Sequence, residues 1–155
     1  ISAVQIISTA YDPFFFVAGI TSNYTIMGMC LASWLKIKEK KEKANALGYF
    51  VSSFFGGVTE PGLYGLAVKY KTPFIGIIAG GGAAGLLAGL TGTAVRMFPP
   101  ASNFIAGMAF FFDTSESIIF GVLTCIVAFV VSAVVTYFFG YRNIDVAKEN
   151  SKETN

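Results

Sequence analysis

The chain has 155 residues, of which 54% are hydrophobic and only 13% are charged, and its mean hydropathy is +0.65. This composition excludes an ordinary soluble domain and is typical of a helical membrane protein, in which aromatic side chains face lipid and glycines let helices approach closely. The net charge of +2 is too small to indicate nucleic-acid binding. The chain has no histidine, which removes histidine-based catalysis and the commonest metal ligand. We predict no metal site and no cofactor.

Five apolar windows, free of charged residues except for Glu60 in the second, organise the chain as an all-α integral membrane protein. A helix needs about 20 residues to cross the hydrocarbon core of a bilayer. The first, third and fifth windows therefore predict full spans. The second is interrupted by Gly56-Gly57 and by Glu60-Pro61, and the fourth is short and contains Pro99-Pro100 near its start. In chain order the windows are residues 13–35, 44–68, 73–95, 97–112 and 117–141.

Positive charges orient these segments, because cytoplasmic loops of membrane proteins are rich in lysine and arginine. The basic loop 36–43 precedes the second window and Lys69 and Lys71 follow it, so a hairpin that enters the membrane and returns keeps both clusters in the cytoplasm. If the fourth window also enters the membrane and returns, the last span ends in the cytoplasm together with Arg142 and Lys148. We therefore predict that the fourth window is a second re-entrant segment. The sequence thus predicts about three transmembrane helices and two re-entrant segments over residues 1–141, followed by a polar cytoplasmic tail at 142–155.

Glu60 is the only charged residue between Lys43 and Lys69. It lies in the sequence Gly-Gly-Val-Thr-Glu-Pro-Gly-Leu-Tyr-Gly of residues 56–65. A lone carboxylate at membrane depth costs free energy, so such a residue usually pairs, carries a proton or contacts a substrate. A broken backbone beside one acid is typical of transport sites. We therefore predict that Glu60 binds a ligand, and the alternative is a structural helix cap.

The residues around Glu60 predict the tip of the hairpin. Pro61 suits the first position of a helix, with Thr59 or Glu60 as its cap, and a proline disfavours helical geometry in the residue before it. Gly57, Pro61 and Gly62 are therefore expected to shape the turn.

Three features of the apolar windows have less specific interpretations. Asn23, in the polar run 21–25, reaches either a ligand hydroxyl or a neighbouring helix, and both readings stay open. Cys30 and Cys125 lie inside apolar runs and are expected to be packed thiols. A stripe of small residues predicts a helix-packing face: Gly81, Gly85 and Gly89, widened by Gly76, Gly80, Ala84, Ala88 and Gly92.

The Gly-Val-Thr-Glu-Pro-Gly-Leu-Tyr-Gly motif at 57–65 is followed by Lys-Tyr-Lys-Thr-Pro-Phe-Ile at 69–75 and a glycine-rich span. Together these resemble the membrane subunit (EIIC) of the bacterial sugar phosphotransferase system, in the glucose superfamily on its β-glucoside, sucrose and trehalose side. The resemblance covers roughly residues 20–140. It implies a multi-pass permease of the bacterial inner membrane that binds a neutral sugar outside and releases it inside as the 6-phosphate.

By this resemblance Glu60 is a sugar-binding residue at the hairpin tip, and we add Thr59 and Asn23 as further sugar contacts. The phosphoryl group would come from a cysteine of the cytoplasmic EIIB domain, so the chain is expected to carry no catalytic residue itself. In the family, a histidine and basic groups that contact sugar precede this segment. The chain therefore resembles the C-terminal part of EIIC and is expected to act with the remaining N-terminal half, as a homodimer.

Two other classes of protein fit the same residues. In an ion-coupled secondary transporter or channel, Glu60 would carry a proton or a cation, because broken helices and a midplane acid also occur there. In a purely structural membrane subunit, Glu60 would be replaceable without loss of activity. Uptake that needs a phosphorylated partner favours the permease, and uptake that collapses with a proton uncoupler favours the ion-coupled transporter.

Overall fold

Helices make up the regular structure of this chain. The computed structural model describes residues 15–94, 103–105 and 115–141. Within those residues there is no strand, so the all-α prediction is confirmed for them. The helices are α1 (Phe15–Lys36), α2 (Lys40–Gly56), α3 (Glu60–Gly62), α4 (Phe74–Thr91) and α5 (Ser115–Phe139), and a π-helix, Leu63–Val68, continues directly from α3.

The first, third and fifth windows each form one long helix. α4 and residues Ile118–Phe139 of α5 are long and apolar enough to cross a membrane, with mean hydropathies of 1.8 and 2.9. α1 has 22 residues but a lower hydropathy, because it contains the polar run 21–25. The fourth window lies outside the described residues except for 103–105, so a second re-entrant segment stays a prediction.

α1 is the central helix of the described bundle, since it packs against α2, α4 and α5. Two of its buried hydroxyls are satisfied within the helix. The hydroxyls of Thr21 and Ser33 donate to the carbonyls of Val17 and Met29, four residues back, at 2.8 and 2.7 Å. A helix that is enclosed by its neighbours can carry such residues, because few of its side chains face lipid.

The closest packing occurs where α1, α4 and α5 meet. Ser132 of α5 donates a hydrogen bond of 2.6 Å from its hydroxyl to the carbonyl of Thr25 on α1. A Cβ atom built on Gly28 would lie 2.3 Å from the carbonyl oxygen of Phe129, and one built on Gly80 would lie 2.7 Å from the Cβ of Ser132. Only glycine permits this approach, as in other close crossings of membrane helices.

The prediction that Gly81, Gly85 and Gly89 form the packed stripe is wrong. A Cβ atom on any of them would meet no atom of the described residues within 4 Å. Gly92, also expected in the stripe, instead ends α4 in the left-handed conformation with φ of 65°. Both candidate faces repeat every four residues, so spacing alone could not distinguish them. The buried face is the one expected only to widen the stripe: Gly76, Gly80, Ala84 and Ala88.

Residues 40–70 form a hairpin whose two ends meet. The first arm is α2, and the second arm, residues 60–70, returns beside it. At the base, Nζ of Lys69 lies 2.8 Å from Oε1 of Glu42, and the hydroxyl of Tyr70 donates to Oε2 of the same carboxylate at 3.2 Å. The second window therefore folds back on itself, with its interruption at residues 57–59.

The ion pair at the hairpin base gives a pH-dependent contribution to stability. The hydrogen bond from Lys69 lowers the pKa of Glu42, and the same bond raises the pKa of Lys69. The contribution is therefore fully present between the ordinary pKa values of 4.5 and 10.5. It is lost as the pH falls through the lowered pKa of Glu42, and as the pH rises through the raised pKa of Lys69.

We expect Glu42→Gln to lower the free energy of unfolding at neutral pH by at most about 1 kcal/mol, because Lys69 is half exposed. The difference from the parent should shrink as the pH drops below 4.5. Thermal unfolding in detergent at several pH values measures this difference. The double variant Glu42→Gln with Lys69→Met should lose no more stability than either single variant. If the stability difference between Glu42→Gln and the parent does not change with pH, the ion pair does not stabilise the hairpin base.

Candidate functional site

The predicted hairpin tip is a short break between α2 and α3. Gly57 ends α2 in the left-handed conformation with φ of 71°, which glycine adopts at little cost. The backbone N–H groups of Gly57 and Val58 donate to the carbonyls of Ser53 and Ser52 at 3.0 and 3.4 Å. These bonds satisfy two carbonyl groups in the last turn of α2, and the chain then turns toward Thr59.

Thr59 joins the tip to the central helix. It occupies the N-cap position of α3, yet its hydroxyl makes no capping bond and instead donates to Oδ1 of Asn23 on α1, at 3.1 Å. A threonine in this position ordinarily bonds to a nearby backbone N–H. Thr59 is buried and Asn23 is half buried. Because Asn23 accepts through its oxygen, the two N–H donors of its amide remain for another partner.

Glu60 follows Thr59 directly, and its side chain is exposed. In the part of the chain that the structure describes, no hydrogen bond or ion pair holds its carboxylate. The prediction that Pro61 keeps Glu60 out of the helix is wrong, because Glu60 is the first residue of α3 and Pro61 the second. A proline is tolerated there, since the N–H groups of the first turn have no helical acceptor in any case. The structure thus presents an unpaired carboxylate beside the Thr59–Asn23 pair.

Two glycines let the second arm lie directly on its neighbours. A Cβ atom on Gly62 would lie 2.5 Å from Sγ of Cys30 on α1, and one on Gly65 would lie 2.5 Å from the ring of Tyr49 on α2. These contacts fix the position along α1 at which the hairpin tip packs. Cys30 is unpaired and buried, as is Cys125, so the prediction of packed thiols is confirmed.

An aromatic cluster beside Asn23 was not predicted from the sequence. Tyr24 donates from its hydroxyl to the carbonyl of Phe104, and the two rings lie 5.2 Å apart. The ring of Phe104 also stacks on Phe54, near the end of α2, with centroids 4.4 Å apart. Phe104 belongs to the fourth window, so this window contacts both α1 and the hairpin. The one available signal was the position of Tyr24 next to Asn23, since phenylalanine is too frequent in this chain to single out Phe104.

The other hydroxyls of the polar run do not join the site. Thr21, Ser22 and Thr25 each donate to a carbonyl of α1 itself, at 2.7 to 2.8 Å. Together with glycines of α4 they line an open groove of about 340 Å³ between α1 and α4. Neither Asn23 nor Thr59 lines this groove. Of the predicted sugar contacts, the structure therefore bonds Thr59 to Asn23 and places Glu60 next to Thr59 along the chain, with its side chain exposed.

Comparison with curated proteins gives matches over most of the chain. The arbutin-, cellobiose- and salicin-specific EIIBC component of the Escherichia coli phosphotransferase system is 30% identical over 129 residues, covering 82% of this chain and 26% of that protein. The sucrose-specific EIIBC component of Salmonella typhimurium is 37% identical over 118 residues, covering 75% and 25%. The β-glucoside-specific EIIBCA component of Bacillus subtilis is 27% identical over 132 residues, covering 85% and 21%.

These matches confirm the resemblance inferred from the motif. The chain is similar to sugar-specific components of the phosphotransferase system, as expected of an EIIC-type membrane region. It spans between 21% and 26% of the length of these three relatives. No family model matches the chain. No solved structure matches it significantly.

Proposed function

We propose that this chain is the sugar-binding, C-terminal part of an EIIC permease, which moves a neutral sugar across the bacterial inner membrane for phosphorylation by EIIB. The observation that carries the proposal is the bond between Thr59 and Asn23, next in sequence to the exposed carboxylate of Glu60. Relatives named for β-glucosides, sucrose and trehalose support a sugar of that kind. The remaining part of EIIC would complete the binding site, and the permease would act as a homodimer.

The chemistry of these three side chains suits a neutral sugar. A sugar hydroxyl both donates and accepts hydrogen bonds. Glu60 offers an ionised acceptor, which forms stronger hydrogen bonds than a neutral one, and the amide of Asn23 offers donors. Thr59 holds Asn23 in place through its hydroxyl. None of these groups needs to react, because the phosphocysteine of EIIB would supply the phosphoryl group.

In this proposal α1, α4 and α5 span the membrane, and the hairpin 40–70 enters from the cytoplasm and returns. α2 has 17 residues and is about 25 Å long, enough to carry the tip well into the hydrocarbon core. The lysines at both ends of the hairpin favour a cytoplasmic base. The tail at 142–155 would then also be cytoplasmic, and the fourth window would form the second re-entrant segment.

The Thr59–Asn23 pair provides a direct test. We expect Thr59→Val and Asn23→Leu each to weaken sugar affinity about tenfold, the effect of losing one hydrogen bond of about 1–1.5 kcal/mol. The double variant should lose less than the sum, because the two residues act as a pair. Calorimetry on the complete permease with cellobiose, sucrose and trehalose measures these affinities and identifies the preferred sugar.

Ser22→Ala is the matched control, since Ser22 is a neighbour of Asn23 on α1 whose hydroxyl bonds only within its own helix. It should bind sugar as the parent does. Unchanged affinity in both Thr59→Val and Asn23→Leu would remove the basis of the proposed site.

An ion-coupled transporter is the second candidate, favoured by the one observation that Glu60 has no partner among the described residues. In that case Glu60 would carry a proton or a cation. Uptake by the complete protein would then stop with a proton uncoupler and would proceed without phosphorylated EIIB. Uptake that depends on phosphorylated EIIB and resists the uncoupler supports the permease instead.

A further inference from the structure

One end of the bundle carries a dense positive charge. We call it the lysine surface, and it consists of the segments 36–43 and 69–71. These segments contain seven lysines and only two glutamates, Glu39 and Glu42. One of those carboxylates, Glu42, is already engaged by Lys69. The lysines are Lys36, Lys38, Lys40, Lys41, Lys43, Lys69 and Lys71.

Contacts between distant parts of the chain show that these segments lie together. Nζ of Lys36, at the end of α1, lies 4.5 Å from the ring centroid of Tyr137 near the end of α5. Thr72, just before α4, donates from its hydroxyl to the carbonyl of Gly140. The ends of α1 and α5, the base of the hairpin and the start of α4 therefore share one end of the bundle.

Aromatic rings lie at the same level as the lysines. Lys43 lies over the ring of Trp34, with Nζ 5.8 Å from its centroid, and the ring of Tyr137, which Lys36 covers, is exposed. Tryptophan and tyrosine are enriched at the level of lipid headgroups, and lysines extend their charged ends into the same layer. The combination places the lysine surface in the headgroup layer, where the neighbouring anions are lipid phosphates.

Among the described residues, no ion pair engages four of these lysines. Lys38, Lys40, Lys41 and Lys71 are exposed, and none of them forms an ion pair with a described residue. Lys71 is also held with φ of 60°, in the left-handed conformation, in the turn before α4. Clustered ammonium groups repel one another unless an anion lies between them.

We propose that the lysine surface binds the phosphate headgroups of anionic phospholipids. Charge complementarity supplies the attraction, and polybasic segments beside membrane helices recognise anionic lipids in this way. The aromatic rings favour a lipid over a phosphorylated cytoplasmic protein, because they belong to the membrane interface. The inference does not depend on the proposed sugar site, which lies at the opposite end of α2.

The test compares two lipids on the full chain in detergent. Dioleoyl phosphatidylglycerol is added in one series and dioleoyl phosphatidylcholine in the other, and the unfolding temperature and the lipid retained in native mass spectrometry are recorded. We expect phosphatidylglycerol to raise the unfolding temperature and to remain bound, and phosphatidylcholine to do neither. The effect should weaken in high salt, because exposed charges are screened.

Two triple variants separate charge from other roles of the loop. Replacing Lys38, Lys40 and Lys41 by glutamine should weaken phosphatidylglycerol binding at least about tenfold, whereas replacing the same three by arginine should preserve it. Equal binding of the two lipids by the parent, or undiminished binding by the folded glutamine variant, would overturn the proposal. If the glutamine variant does not fold, the salt dependence of phosphatidylglycerol binding by the parent tests the proposal instead. Binding that does not weaken in high salt would overturn the proposal. Binding of phosphorylated EIIB that needs these lysines, without any preference for the anionic lipid, would assign the surface to that partner instead.

Discussion

Replacing Glu60 by glutamine is expected to weaken sugar binding by roughly 10- to 100-fold, the equivalent of about 1.5–3 kcal/mol for hydrogen bonds to a charged acceptor. Glutamine keeps the size of the side chain and removes only the charge. Because Glu60 is exposed and no hydrogen bond or ion pair holds it in the described part of the chain, stability should not change. Calorimetry with the preferred sugar on the complete permease measures the affinity, and thermal unfolding checks the fold.

Glu39→Gln is the matched control for this experiment. This substitution also removes one negative charge by replacing glutamate with glutamine. Glu39 lies just before α2, and the length of that helix, about 25 Å, separates Glu39 from the hairpin tip. Its affinity for the sugar should equal that of the parent. If Glu60→Gln also binds as the parent does, Glu60 is not a sugar contact. If Glu60→Gln keeps its affinity for the sugar but loses proton-coupled uptake, the ion-coupled transporter is favoured.

The second large effect is expected from Gly28→Ala, which should destabilise the protein by about 3 kcal/mol or more. The new Cβ atom would lie 2.3 Å from the carbonyl oxygen of Phe129 and 3.2 Å from the backbone nitrogen of Ala133. These are backbone atoms, so no side-chain rotation relieves the clash and α1 must separate from α5. Thermal unfolding in detergent measures the loss.

Gly19→Ala gives the comparison within the same helix. A Cβ atom on Gly19 would meet no described atom within 4 Å, so this variant should keep or slightly raise stability, since alanine is the better helix former. The two substitutions are chemically identical and differ only in their surroundings. If both variants unfold at the same temperature, the close crossing of α1 and α5 does not exist as described.

Features that depend on local sequence were predictable. The interruption at residues 57–59 follows from two glycines and a proline in an otherwise apolar window, and the structure breaks the helix there. The lengths of α1, α4 and α5 follow from the spacing of charges. In each case the physical cause lies within a few residues of its effect.

Features that depend on distant residues were not predictable. Gly80 and Gly81 are adjacent in one helix, and only the positions of Ser132 and Thr25 decide which of them is buried. In the same way, the hydroxyl of Thr59 could have capped its own helix, but Asn23, 36 residues away, offers the acceptor it uses. Proximity of Thr59 to Asn23 could not be inferred from either segment alone.

The π-helix Leu63–Val68 has a consequence for insertions and deletions. Its wider turn accommodates one residue more than an α-helical turn would, and such segments are uncommon and occur often near functional sites. Deleting one residue here would let the segment relax into an ordinary α-helix. The residues beyond it would keep their angular position, so Lys69 would still meet Glu42. Conversion of the segment to an ordinary α-helix without a deletion would instead turn everything beyond it by about 100° around the axis. The wide turn therefore sets the angular register between the tip of the hairpin and its base.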